Sequence, residues 1–385
     1  MKIPVYLDNN ATTPLDPDVL KEMMPYLTDK FGNAASVSHI YGHEAAEAVK
    51  FARKRVAELI NSNPEEIIFT GGATESINLA IKGYAEANFE KGNHIITSLI
   101  EHKAVLDTCK YLRKHGFEIS YLKVDEYGII DQEDLKNSIT DKTILVSVMT
   151  ANNEIGTIQP VEEIGKICSS RNIVFHTDAS QALGKIPIDV KRMNIDLMSI
   201  TAHKMYGPKG VGALYVASKS PKLNLAEQMH GGGHERGFRS GTLNVSGIVG
   251  FGKACRISKN IITEESKKLT NFRNKILKNF VTNIEGCSLN GHPEKRLPNN
   301  LNVSFGFTDS QRILLSLKEL AISTGSACSS ETLEPSYVLR AIGKPDNLCK
   351  SSVRFGLGRF NTEEEIDFAI DITIGKLNNI RKELK

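Results

Sequence analysis

Short runs of β-branched residues alternate with helical periodicity through the first two thirds of this 385-residue chain, and that alternation restricts the fold more than any other feature. Residues 67–70 (Ile-Ile-Phe-Thr) read as a strand. The segment 74–89 carries Ile77, Ala80, Ile81, Tyr84 and Ala85 on one helical face. Residues 94–98 are the next expected strand and 102–114 the next helix. Further strands are expected at 119–124, 144–149, 173–177, 197–200 and 212–216, with a clear helix at 161–170. Such alternation predicts an α/β fold, a mostly parallel sheet covered by helices on both faces. Ligands of such sheets bind beyond the carboxyl ends of the strands. After about residue 243 the pattern changes. A long helix is expected at 245–283, then a smaller α+β part with a strand at 301–304 and helices at 310–317 and 363–377. A domain boundary is placed near residue 250.

Charge and composition remove several classes of function. Lys plus Arg is 48 against 45 for Asp plus Glu, too even for a chain built mainly to grip nucleic acid. No apolar run approaches the roughly 20 residues that span a bilayer. The N-terminus has no signal-peptide stretch, so the expectation is a cytoplasmic protein, or an organellar one after removal of a transit peptide. The six cysteines (109, 168, 255, 287, 328 and 349) form no Cys-x-x-Cys pair, which argues against a zinc knuckle and for free thiols in a reducing compartment. Five of the six are expected to be small core residues.

Three features stand just beyond expected strands. Gly71-Gly72-Ala73-Thr74 is a tight strand-to-helix turn whose free amides attract an anion, with Thr74 adding a hydroxyl. Asp178, in Thr177-Asp178-Ala179-Ser180-Gln181, is placed either to cap the next helix or to put a charge against a ligand. Lys204 lies in Thr201-Ala202-His203-Lys204-Met205-Tyr206-Gly207-Pro208-Lys209-Gly210, before a Gly/Pro-rich loop. An anion cradle, a carboxylate and an amine on successive β-α units suit pyridoxal 5'-phosphate: phosphate in the cradle, carboxylate at the pyridinium nitrogen, lysine joined to the aldehyde carbon.

Other motifs fail on their own chemistry. Residues 247–254 approach a phosphate loop, but Ala254 stands where a magnesium-binding hydroxyl is required. His230-Gly231-Gly232-Gly233 has no accompanying Gly-x-Ser-x-Gly elbow, and His234-Glu235 lacks the second zinc-binding histidine, because position 238 is Phe238. Cys328, by contrast, is embedded in small residues, Ser323-Thr324-Gly325-Ser326-Ala327-Cys328-Ser329-Ser330, a loop composition with no apolar stripe to bury it. A thiol on such a loop is either an inert turn residue or a nucleophile that the site must activate.

At these residues the chain resembles the pyridoxal-phosphate-dependent cysteine desulfurases of the IscS/NifS group, nearest the IscS type. The likeness runs from Tyr6-Leu7-Asp8-Asn9-Asn10-Ala11-Thr12-Thr13-Pro14 through Gly72-Ala73-Thr74-Glu75-Ser76, Glu101-His102-Lys103-Ala104-Val105, Asn152-Asn153-Glu154-Ile155-Gly156, Ala202-His203-Lys204 and Arg239-Ser240-Gly241-Thr242. It closes with Gly325-Ser326-Ala327-Cys328 and Arg354-Phe355-Gly356-Leu357-Gly358-Arg359-Phe360. The resemblance implies a fold-type-I architecture in which residues 15–250 form the large cofactor-binding domain. Residues 1–14 and 251–385 would form the small domain that carries the cysteine loop. It also implies a homodimer with each site at the subunit interface.

Carried over motif by motif, the resemblance makes Lys204 the covalently linked lysine and proton carrier. Asp178 would be the partner of the ring nitrogen, Gln181 of the ring hydroxyl, and His102 the residue stacked on the ring. Ala73, Thr74, Thr201 and His203 would bind phosphate, with Thr242 supplied by the other subunit. Asn153 and Arg354 would hold the substrate, L-cysteine. Cys328 would be the nucleophile, leaving alanine and a persulfide for an iron–sulfur scaffold protein and other acceptors such as those of tRNA thiolation. By the same resemblance Cys328 would be a transient ligand of a [2Fe-2S] cluster shared with that scaffold. The chain ends at Lys385, where members of the group typically continue with a segment that helps dock the scaffold. The rival readings are a cysteine or selenocysteine lyase and a non-catalytic sulfur-relay platform. No direct contact with nucleic acid or membrane is expected.

Overall fold

The computed structural model describes residues 2–219, 222–324 and 335–384; Cys328 and the other residues of its loop from Gly325 onward lie outside the described residues. A first strand, β1 (Val5–Tyr6), is followed by β2 (Ile67–Thr70), β3 (His94–Ser98), β4 (Glu118–Leu122), β5 (Thr143–Ser147), β6 (Val174–Asp178), β7 (Leu197–Thr201) and β8 (Gly212–Val216). The last seven form one sheet in the order β2-β8-β7-β6-β5-β3-β4. The expected strands are all present, within two residues of their expected ends. The sheet is mostly parallel as expected, except that β8 pairs antiparallel with both β2 and β7. Because β8 reverses twice, β2 still runs parallel to β7. The carboxyl ends of β2, β3, β5, β6 and β7 therefore open on the same edge of the sheet. Strands β2, β3, β5, β6, β7 and β8 are buried along their whole lengths, as expected for a sheet covered on both faces.

The helix expected at 74–89 is less regular. It begins as Ala73–Asn78, widens into a π-turn at Leu79–Gly83 and resumes as Tyr84–Ala87. The cause is tertiary: the Gly83 carbonyl accepts from Ala226 N at 2.8 Å, and a Cβ on Gly83 would meet the Ala226 oxygen at 2.7 Å. A π-turn frees a carbonyl for that outside partner.

The long helix is present as Val245–Asn283. Residues 247–254, the phosphate-loop lookalike, are part of it and make no loop. Its first part buries Ile248, Val249, Phe251 and Cys255 in the main core, and its second buries Leu269, Ile276 and Phe280 in another. That second core also takes Val5 and Leu7 and faces a small antiparallel sheet of β9 (Cys287–Leu289), β10 (Asn300–Phe305) and β12 (Ser352–Gly356). Strand β11 (Leu320–Ala321) pairs in parallel with β1. The core therefore changes between Cys255 and Leu269, inside one continuous helix rather than at a linker. The last helix, Glu363–Glu383, outruns the expected 363–377. A capping box starts it, Thr362 Oγ1 accepting from Glu365 N and the Glu365 carboxylate from Thr362 N. Of the cysteines described, Cys109, Cys168, Cys255 and Cys349 are buried and Cys287 partly so, all unpaired.

Candidate active site

A cavity of about 700 Å³ opens at the carboxyl edge of the sheet, within the range of small-molecule sites. Its walls include Ala73, Thr74, His102, Asn153, Asp178, Gln181, Thr201, His203 and Lys204. Those residues span about 130 positions of sequence and meet because β2, β3, β5, β6 and β7 end together. Thr242 is exposed and absent from the walls; this chain alone does not bring it to the cavity. Arg354 also lies outside the walls but next to them, donating to the Asn153 carbonyl at 2.8 Å and paired with Asp8 at 2.9 Å. Cys328 lies outside the described residues.

The cradle follows directly from its residues. Gly72 has φ +154° and ψ −177°, a region open only to glycine, and a Cβ there would project into open space. Thr70 Oγ1 and Ser76 Oγ bond at 2.7 Å behind the turn and hold it closed. Glu75 accepts from Gly71 N and from Arg239, both at 2.7 Å.

Asp178 ends β6 and is nearly buried; its Oδ1 accepts from Ser180 N at 2.9 Å, which closes a turn, since no helix follows β6 for it to cap. Behind it His176 is clamped between Ser147 and Ser199 hydroxyls at 2.8 and 2.9 Å. Burial lowers that imidazole to about 4 and keeps it neutral. His102 caps the helix Lys103–Lys114 by accepting from Ala104 N through Nδ1, at 3.1 Å. An accepting Nδ1 carries no proton, so the neutral ring keeps its hydrogen on Nε2. Burial pushes His102 below the ordinary histidine range, against the pull of Asp178. Burial, then the charges of Lys204 and Lys209, lowers His203 to about 4.

Sequence reasoning missed several members of this constellation. Asn10 and Gln181 bond each other twice, Asn10 Nδ2 to Gln181 Oε1 at 3.1 Å and Gln181 Nε2 to the Asn10 carbonyl at 2.9 Å. They are 171 residues apart, and no local pattern links them. Lys185 is buried beside Gln181, 3.5 Å from its Oε1, and burial, then the Lys204 charge, lowers it to about 7. Glu101 is wholly buried and raised to about 8. Lys209 is a second lysine on the cavity wall.

The cavity suits pyridoxal phosphate by its own chemistry. It combines an amide-rich turn, a buried carboxylate and a lysine. Asn153 Oδ1 and Ser180 Oγ, on two wall residues, are buried without a hydrogen-bond partner among the described residues, as expected of groups that await a polar ligand. No group of three or more His, Cys, Asp or Glu residues among the described residues is arranged to hold a metal ion.

The family model for class-V aminotransferases matches residues 5–368. Cysteine desulfurase IscS of Colwellia psychrerythraea is 53% identical over 383 residues, covering 99% of this chain and 94% of its own. The Neisseria meningitidis protein of the same name is 55% identical over 382 residues, with 99% and 94% covered. Among solved structures, a NifS-like protein superposes with a TM-score of 0.91 at 38% identity, covering 97% of this chain and 99% of that one. SspA in complex with cysteine superposes with 0.81 at 38% identity, covering 93% and 100%. A cofactor cavity at the sheet edge, a family model spanning most of the chain and near-full-length relatives above 50% identity agree: this chain is a pyridoxal-phosphate enzyme of the class-V aminotransferase family and belongs to the IscS/NifS group of cysteine desulfurases.

Proposed function

We propose that this chain converts L-cysteine to L-alanine and carries the released sulfur as a persulfide on Cys328, with Lys204, Asp178 and His102 as the groups around the cofactor. The observation that supports the reading is the meeting of Lys204, Asp178, His102 and the Gly71–Thr74 turn on one cavity. Pyridoxal phosphate, when bound, withdraws electrons from the α-carbon of an amino acid joined to it. Thr74, Thr201, His203 and the amides beyond Gly72 would hold its phosphate, Asp178 its ring nitrogen and Gln181 its ring hydroxyl. The Asn10 bonds fix the Gln181 amide so that Nε2 remains the donor face. Thr242 would come from the second subunit of a homodimer. Residues 1–14 and 251–385 would act as the small domain against 15–250.

Lys204 takes the α-proton of the substrate and returns it to the product. His102, neutral with its hydrogen on Nε2, can donate at that atom without giving up its cap at Nδ1. Arg354 and Asn153 would orient the substrate carboxylate. In the sulfur step the Cys328 thiolate attacks the substrate sulfur; the new S–S bond forms as the C–S bond breaks, and its electrons leave with alanine. The net change is L-cysteine plus the Cys328 thiol giving alanine plus the Cys328 persulfide. The persulfide then passes to an iron–sulfur scaffold or another acceptor in the cytoplasm.

Borohydride reduction followed by peptide mapping tests the assignment. The expected label is on Lys204. Recovery on Lys209, which shares the cavity wall, would overturn it. Alanine and reductant-released sulfide from L-cysteine separate desulfuration from a platform that has no chemistry.

A further inference from the structure

Tyr206, two residues after Lys204, has φ +65°. A bulky non-glycine residue in the left-handed region is disfavoured and persists only where its surroundings impose it. Here they do so from both ends of the chain. Tyr206 N donates to Thr13 Oγ1 at 2.7 Å, and its carbonyl accepts from Asp16 N at 3.0 Å. The His203 carbonyl, next to Lys204, accepts from both Thr13 N and Thr13 Oγ1 at 2.9 Å. Ala202 O accepts from Met205 N and Gly207 N, each at 3.0 Å, which closes Lys204 inside a tight turn.

Tyr206 is 4% exposed. The Arg359 guanidinium lies 4.1 Å from its centroid, and Phe360 meets its edge at 5.5 Å. The phenol oxygen accepts from Arg359 N. Arg359 is held in turn by Asp16 at 2.9 Å and Glu265 at 2.7 Å, both nearly buried. The turn bearing Lys204 is thus fixed through one residue to the N-terminal segment, the long helix and the segment that follows β12. Strained backbone of this kind is a signature of functional positioning.

We propose that Tyr206 is a positioning residue for Lys204: its left-handed backbone shapes the turn that presents the lysine, and its ring beneath Arg359 holds that presentation. The inference rests on Lys204 being the lysine that joins the cofactor. Joining demands an aimed amine, whereas holding the cofactor's phosphate and ring does not, so the two processes separate the role.

The test uses the full chain stripped of cofactor. Covalent linkage to pyridoxal phosphate is followed by visible absorbance, and affinity is measured for pyridoxamine 5'-phosphate, which has no aldehyde to react with a lysine. Asparagine tolerates the left-handed region but has no ring. Tyr206→Asn is expected to link at least about ten-fold more slowly while binding pyridoxamine phosphate within about two-fold of the parent. Tyr206→Phe, which keeps the ring under Arg359, is expected to stay within about three-fold on both measures. Arg359→Lys keeps the charge between Asp16 and Glu265 but loses the flat guanidinium. It is expected to show the same one-sided loss as Tyr206→Asn, and it carries the test if that variant does not fold. A parental linkage rate in the ring-loss variants overturns the inference, as does a parallel fall in linkage and pyridoxamine phosphate affinity, which marks a merely structural role. Borohydride mapping of the parent keeps the underlying reading apart: a label away from Lys204 removes both readings, whereas a label on Lys204 with parental rates removes this one alone.

Discussion

Glu101→Gln changes one fully buried group that feels the Asp178 charge, and it has a calculable pH signature. Glu101 is 0% exposed. Its Oε1 accepts from Ser98 Oγ at 2.9 Å and from Met149 N at 2.8 Å, while Oε2 has no hydrogen-bond partner among the described residues. Burial, with the Asp178 charge adding to it, raises the carboxyl from its ordinary 4.5 to about 8. The unfolded chain releases this proton near 4.5 and the folded chain holds it to about 8. The native state therefore binds the extra proton between those values. The resulting stabilisation is complete below pH 4.5 and is lost as pH rises through 8. At 1.36 kcal/mol per pH unit, the loss between pH 5 and pH 9 is on the order of 4 kcal/mol. Glutamine keeps the accepting oxygen and has no proton to release; its amide costs the same at every pH. Urea unfolding of parent and variant, at equal saturating cofactor because a bound ligand stabilises by mass action, gives the difference at each pH. Relative to the parent, Glu101→Gln should gain about 4 kcal/mol from pH 5 to pH 9. His176 and Lys185 titrate in both proteins and cancel. A difference that stays flat across that range would falsify the neutral-carboxyl assignment.

Lys204→Ala should neither remove the α-proton nor make alanine, whereas Cys328→Ser should hold the cofactor and shift its spectrum with L-cysteine yet release no alanine. Stopped-flow absorbance with alanine quantification reads both, and alanine at the parental rate from Cys328→Ser would favour a lyase. Mixed Lys204→Ala and Thr242→Ala subunits should regain part of the activity, because one interface then holds both intact groups; inactive heterodimers would count against a shared site. Arg53→Met strips the buried Glu235 carboxylate of its two-pronged partner at 2.6 and 2.7 Å, leaving Phe69 N as its remaining hydrogen-bond donor among the described residues. A loss of about 3–5 kcal/mol in denaturant unfolding is expected, and a change below about 1 kcal/mol would show that the pair is not needed.

The alternation of strand and helix, the seven strands of the main sheet and the long helix through residue 250 were legible in the sequence, because each rests on local periodicity and on runs that only a buried sheet accepts. So were the cradle, Asp178 and Lys204, which sit at or just beyond strand ends where the fold class puts ligands, and which meet because parallel strands end together. The sequence did not reveal the reversal of β8 between β2 and β7, since a buried strand reads the same in either direction. Nor did it reveal the π-turn, which depends on Ala226 reaching Gly83 from 143 positions away. Asn10 and Lys185 beside Gln181, the buried Glu101 and Tyr206 beneath Arg359 were likewise hidden. Their roles come from burial and from partners distant in the chain, and a charge or a ring has no distinct local signature until the fold removes its water. Chemistry that belongs to residue type and strand end was thus decided locally. The protonation state of each group and the aim of Lys204 were decided by what the tertiary structure packs against them.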